Sequence, residues 1–366
     1  ATSKNSSYAL VTLDARFKIL QDAQAEALDI QQWHDFLKCI QMAGFRGKHM
    51  VSSEMTIVYT YIFYLIGKHT YGLDTFQLAN ITARWFFMAT LTRRYTSSPE
   101  SRMERDLADM RNVETADSFI RWAERVMATE FTEDYWSITL PNQLETSSAS
   151  TPLLHTYHAA QVLLGAKVLF SAKTVHDLLD PSHKAKKAFA ERHHLFPKDY
   201  LASIGIKATR DTNQVANYAL VEWSDNISIS NASPQSYAPK YEERLPPALL
   251  DKYYYWHGLP KNWPNLRYQD FLEKRRKLIA KVIKDGYLAL VKGGTEEDAT
   301  EATTPSVESI IEQGESDNVE FKSTLRKNLH TNQHDKKMEH ACLKTIAAFL
   351  NTAGGTLLVG VKFFQS

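Results

Sequence analysis

The chain has 366 residues, of which 43% are apolar and 23% charged, the balance of a soluble globular protein long enough for two or three domains. Cys39 and Cys342, far apart, are its only cysteines, which excludes a disulfide framework or a cysteine zinc site, so any metal must be held by His, Asn, Asp or Glu. A net charge of +1 excludes nucleic-acid binding by bulk electrostatics, and a basic footprint would have to be local.

From about residue 12 to 180 the pattern is helical, with apolar residues three and four apart in ALDIQQWHDFLKCIQMAGF and FQLANITARWFFMATLTRRY. In SSPESRMERDLADM, Ser98 is placed as N-cap with Pro99 at the first helical position, and Ser52 or Ser53 caps a helix around Met55. The longest apolar run, MTIVYTYIFYLIG from Met55 to Gly67, is interrupted by threonines and too short to cross a bilayer. No secretory leader opens the chain, so a cytoplasmic location without membrane association is expected. The chain begins at Ala1 without methionine, which reads as a processed or partial chain.

Between Ala190 and Pro239 the helical pattern gives way to short apolar pieces separated by Asp, Asn and Gly. The aromatic stretch DKYYYWHGLPKNWPNLRY, Asp251 to Tyr268, is expected to pack over the preceding segment rather than to stack on bases. Gln269 to Val291 is expected to form an amphipathic helix with a basic face, ending near Gly286. Residues 292–306, rich in Gly, Thr and Glu, read as a linker. Beyond them, DNVEFKS is placed as a strand, KKMEHACLKTIAAFLNT as a helix and GGTLLVGV as a buried strand.

Chemistry concentrates in ERHHLFPKDYL. Metal-assisted phosphodiester hydrolysis needs a base to take a proton from water and a cation to hold charge on the phosphate and leaving oxygen. Neutral imidazole suits the first role near neutral pH. Adjacent strand residues point to opposite faces, and Pro197, three residues after His194, ends the strand, so one histidine can face a cation and the other the scissile phosphate. Downstream, NYALVEWSDNISISN places Asn217 at the start of an apolar strand and Asn226 nine residues later, just past its end. His155, His158, His176 and His183 fall in or near helical pattern and are assigned ordinary core or surface roles.

HHLFP followed by NYALVEWSDN resembles the HNH branch of the His-Me finger, or ββα-metal, nucleases, specifically the C-terminal nuclease domain of GmrSD-type phage-restricting endonucleases. The upstream YGLDTFQLANITARWFFMATLTRRYTSSPESRMERDL is similar to the helical region that precedes that domain, so the resemblance spans most of residues 12 to 290. It implies His194 as general base and His193 as metal ligand. Asn217 would hold loop and strand by hydrogen bonds, and Asn226 would be the second metal ligand, with Asp225 or Asn231 in its place if the register shifts. The implied cofactor is Mg²⁺, Mn²⁺ or another divalent cation, and the implied partner is DNA, including modified phage DNA. Lys184, Lys186, Lys187, Arg275 and Arg276 lie in the densest basic stretches near the motif and are candidates for phosphate contact, although the same stretches read equally well as solvated helix faces. GmrSD-like proteins begin with a ParB-like nucleotide-hydrolysing domain. Its motif is absent before residue 50, and no Walker-type loop occurs, so such a domain or subunit is expected outside this chain.

The C-terminal GESDNVEFKSTLRKNL and HACLKTIAAFLNTAGGTLLVGV resemble the start of the Schlafen AlbA-like domain. In its nucleolytic members two carboxylates with this spacing belong to an RNA-cleaving centre, and they correspond to Glu315 and Glu320. The acidic residue usual after the Gly-Val pair is replaced here by KFFQS, which leaves the acidic set incomplete. The expected fold class is α+β. It comprises a mainly helical N-terminal region (1–180), a ββα-metal module with trailing helices (181–291), a linker (292–306) and a partial AlbA-like domain (307–366). The expected function is a divalent-metal-dependent DNA endonuclease of a GmrSD-like restriction system. The alternatives are a non-catalytic nucleic-acid-binding or regulatory subunit and an RNase acting through the AlbA-like domain.

Overall fold

The computed structural model describes residues 13–180, 190–222, 225, 229, 231–293, 307, 311, 314–316, 319–329, 331, 333–350 and 355–361. The chain divides into two compact units, Ala1–Thr295 and Glu296–Ser366.

The first unit is mainly helical. α1 (Leu13–Ala27) leads into α2 (Ile30–Met42), which starts where the Asp29 carboxylate accepts from the Gln32 amide at 3.0 Å. α3 (Glu54–Leu65) begins directly after Ser53. α4 (Thr75–Leu91), capped by Asp74 through the Gln77 amide at 2.8 Å, is apolar on nearly every side and is therefore the central helix. Its Trp85, Phe86 and Phe87 are fully buried, and Trp85 lies against Phe63 and Trp122 at 4.5 and 5.3 Å between ring centres. α5 (Pro99–Asp109) has Ser98 at its N-cap and Pro99 in its first turn, and the Thr115–Ser118 capping box opens α6 (Ala116–Glu130). α7 (Leu140–Gln143), α8 (Pro152–Leu163) and α9 (Val175–Leu179) complete the helical part.

Two strands follow. β1 (Ala190–His194) pairs antiparallel with β2 (Tyr218–Glu222), and α10 (Lys198–Ser203) and α11 (Thr209–Thr212) lie between them in sequence. α12 (Pro234–Glu242), α13 (Pro247–Trp256) and α14 (Tyr268–Lys292) then pack back over the unit. In the aromatic stretch before and at the start of α14, Tyr253, Trp263 and Tyr268 are buried, as expected of packing residues.

The helix expected to stop near Gly286 runs on to Lys292. Gly286 is a contact point rather than a terminator, because a Cβ there would lie 2.5 Å from the Ala160 Cβ of α8. A glycine inside a helix costs about 1 kcal/mol relative to alanine, and here the missing side chain lets α14 and α8 touch. The boundary expected near residue 180 also falls inside this unit. Phe36 and Trp85 of the helical part, Leu195, Phe196 and Val221 around the strands, and Phe271 and Ile279 of α14 belong to one continuous core.

In the second unit β3 (Val319–Lys322) and β4 (Thr356–Val359) are parallel, Val319 opposite Thr356 and Lys322 opposite Val359, joined through α15 (Lys336–Leu350). Phe321 and Cys342 are buried, while Leu343 and Ile346 face outward. Of the expected linker, Lys292 and Gly293 are described, and 294–306 lie outside the described residues.

Candidate functional site

The site is built at the end of β1. Leu195, Phe196 and Pro197 leave the ladder, and α10 starts directly after Pro197. His193 stands opposite Ala219 and His194 opposite Tyr218. Because neighbouring strand residues face opposite ways, the two imidazoles occupy different environments. His193 is 4% exposed and meets the Tyr237 ring edge-on at 5.9 Å. His194 is partly exposed, lies edge-on to Tyr218 at 4.8 Å, and has its Nε2 3.0 Å from the Asn213 side-chain oxygen.

That last contact sets the tautomer. An amide oxygen accepts, so Nε2 carries the proton and Nδ1 holds the lone pair. Burial pushes the His194 imidazole below its ordinary pKa, the Asn213 bond pushes the other way, and the Lys198 charge adds to the lowering. The net effect favours neutral imidazole, the form a base requires.

Asn217 is fully buried at the other strand's start. Its side-chain oxygen accepts from the Phe196 amide at 2.9 Å, and its Nδ2 donates to the carbonyls of Phe196 and Thr212, each at 3.1 Å. Its backbone carbonyl accepts from the Leu195 amide at 2.9 Å. One side chain therefore ties the loop after the histidines, the end of α11 and the start of β2 together. The Tyr237 hydroxyl donates to the Leu195 carbonyl at 2.7 Å, and Tyr268 donates to the Asp211 carbonyl at 2.8 Å. The Phe196 ring packs on Phe271 at 4.7 Å and Tyr268 at 5.3 Å.

Arg275, expected at nucleic acid, is instead 0% exposed. It lies on the apolar stripe of α14 with Phe271, Leu272 and Ile279, so helix phase turns it inward despite its basic neighbours. Its Nη1 donates to the Ala216 carbonyl at 2.8 Å, and its Nε and Nη2 to the His257 carbonyl at 3.1 Å each. Arg275 thus braces the residue immediately before Asn217. Arg276 is shielded too, its guanidinium 3.2 Å from the Glu145 carboxylate.

Asn226, Lys184, Lys186 and Lys187 lie outside the described residues. Of the alternatives to Asn226, Asp225 has its carboxyl pushed up by burial and by Glu222, against the pull of Arg244 and Lys173, and Asn231 sits in an exposed turn. Among the described residues no group of three or more His, Cys, Asp or Glu side chains is arranged to hold a metal ion.

Asn213, Tyr237 and the bracing role of Arg275 were not singled out from sequence. Their contacts span 19, 42 and 59 positions. The helix phase of Arg275 was the one local signal available.

In the second unit the two carboxylates are engaged locally. Glu315 accepts from the Phe321 amide of β3 at 2.8 Å, and Glu320 pairs with Lys322 two residues along the same strand. Residues 315–363 match the family described as Schlafen, AlbA_2. The AlbA-like unit therefore carries the Glu315 and Glu320 positions within its matched stretch. No curated protein and no solved structure matches the chain. Among the described residues no helix is long and apolar enough to cross a membrane.

Proposed function

We propose that the β1–β2 unit is the centre of an HNH-type, divalent-metal-dependent DNA endonuclease, of the kind found in GmrSD-like restriction systems. The observation that carries this reading is the Asn217 clamp. A buried amide fixes the loop directly after His194, so the neutral imidazole is held at a strand end with its Nδ1 lone pair available. In this mechanism Nδ1 of His194 takes a proton from water as the water oxygen bonds to phosphorus, and the bond from phosphorus to the leaving oxygen breaks. His193 and Asn226 are the residues assigned to hold the cation, which when bound lowers the charge on the phosphate and leaving oxygen. One imidazole and one amide oxygen form a borderline donor set, better suited to Mn²⁺ than to Mg²⁺.

Plasmid nicking by the purified chain tests the proposal, run with Mn²⁺ or Mg²⁺ against EDTA and repeated with His194→Ala. Metal-dependent nicking that the variant lacks supports it. Equal nicking by both proteins removes His194 from the base role.

A second reading is favoured by the AlbA-like match. In it the chain is a nucleic-acid-binding or regulatory subunit, and retained DNA binding without any cleavage in Mn²⁺ or Mg²⁺ would select it. An RNase acting through Glu315 and Glu320 has less support, since both carboxylates are committed to neighbouring groups.

A further inference from the structure

An open cavity of about 390 Å³ lies between the end of α4 and the start of α5, away from the residues used above. Four arginines line it, Arg93, Arg94, Arg102 and Arg105, together with the hydroxyl residues Ser98 and Ser101. Among the described residues two carboxylates are ion-paired with those guanidinium groups. Glu130 accepts from Arg94 Nη1 and Arg102 Nη2, each at 2.8 Å, and Asp106, outside the lining, pairs with Arg94 and more distantly with Arg102. The cavity therefore keeps a surplus of two positive charges.

The donors are placed as well as charged. Arg94 has a side chain only 2% exposed, so burial and its two ion pairs pre-set its orientation. Arg102 is held between Glu130, 2.8 Å from its Nη2, and Asp106, 3.9 Å from its Nε, so its guanidinium is oriented as well. Arg105 is exposed at the rim. The Ser98 hydroxyl lines the cavity and donates to the Ser97 carbonyl at 2.8 Å rather than capping α5.

We propose that this cavity binds a dianionic phosphate group. Two net charges match a phosphate monoester better than a carboxylate or a phosphodiester. The guanidinium and hydroxyl donors that line it suit a tetrahedral oxyanion with several acceptor lone pairs. No aromatic side chain lines the cavity, so it offers a base or ring no stacking surface, and the phosphate itself is the recognised group. Its volume is that of a small-ligand site rather than of a duplex groove.

Titration calorimetry on the full chain tests this, with inorganic phosphate as the first probe. The expected result is saturable binding that weakens about tenfold in Arg102→Gln and in the rim variant Arg105→Glu, whose exposed position keeps the fold. Two further probes separate the sources of the phosphate. Preference for a 5′-phosphorylated over an unphosphorylated oligonucleotide assigns a nucleic-acid end, and preference for a nucleoside triphosphate assigns a free nucleotide. His194→Ala is expected to bind phosphate like the wild type, so this site and the nuclease reading fail separately. No saturable phosphate binding, or equal binding by the wild type and folded Arg105→Glu, overturns the proposal.

Discussion

The β1–β2 site and the AlbA-like unit both carry polar groups of catalytic type, and they use them in opposite ways. In the first, Asn217, Tyr237 and Arg275 spend their hydrogen bonds on backbone groups, leaving His194 positioned but chemically available. In the second, the candidate acids themselves supply the local bonds, Glu315 to the Phe321 amide and Glu320 to Lys322. A reactive group needs other residues to hold it in place. Where it must also do the holding, little reactivity is left.

The sharpest break of this contrast is His194→Ala. Removing a general base is expected to lower the initial nicking rate by about 10²- to 10⁴-fold, with circular dichroism unchanged. Nearly as large is the effect of acid on the first unit. His257 is fully buried, its Nε2 is 2.9 Å from the Lys167 carbonyl, and burial drives its pKa down to about 3. Between pH 6.5 and 3 the unfolded chain takes up a proton that the folded chain refuses. The contribution of this group to stability is therefore constant above about pH 6.5 and is lost as pH drops toward 3, by up to about 5 kcal/mol. Urea unfolding at pH 7 and pH 4.5 should show the loss, and His257→Leu should flatten it.

Asn217→Ala comes next, at roughly 2–4 kcal/mol of lost stability, because the amide and carbonyl of Phe196 and the carbonyl of Thr212 lose partners. The same unfolding experiment measures it, and a loss below about 1 kcal/mol would erase the distinction between the two regions. The smallest effect is expected for Glu320→Gln, which should leave cleavage of single-stranded RNA unchanged. A drop in such cleavage would move the chemistry to the second unit.

Much of the frame could be read directly from the chain. The helical pattern before residue 180 and the Ser98–Pro99 helix start are local signals, and both are present. The strands around the double histidine and after Asn217 were also legible, because Pro197 and the apolar run from Tyr218 mark their limits. What escaped was tertiary. Arg275 lies in a basic run whose composition points outward while its helical phase points inward. Gly286 looks like a stop signal, and its meaning depends on Ala160, more than a hundred residues away. Asn213 gains its role only when the chain folds it against His194.

The bare patch on α14 at Gly286 also has a consequence for how this protein can vary. Where Gly286 meets Ala160 there is no room for a larger residue, so α14 and α8 are mated like key and slot. The two strands, whose Leu195, Phe196 and Val221 share one core with those helices, are then not a cassette that can be moved alone. They would have to change, or be inherited, together with the helices before them.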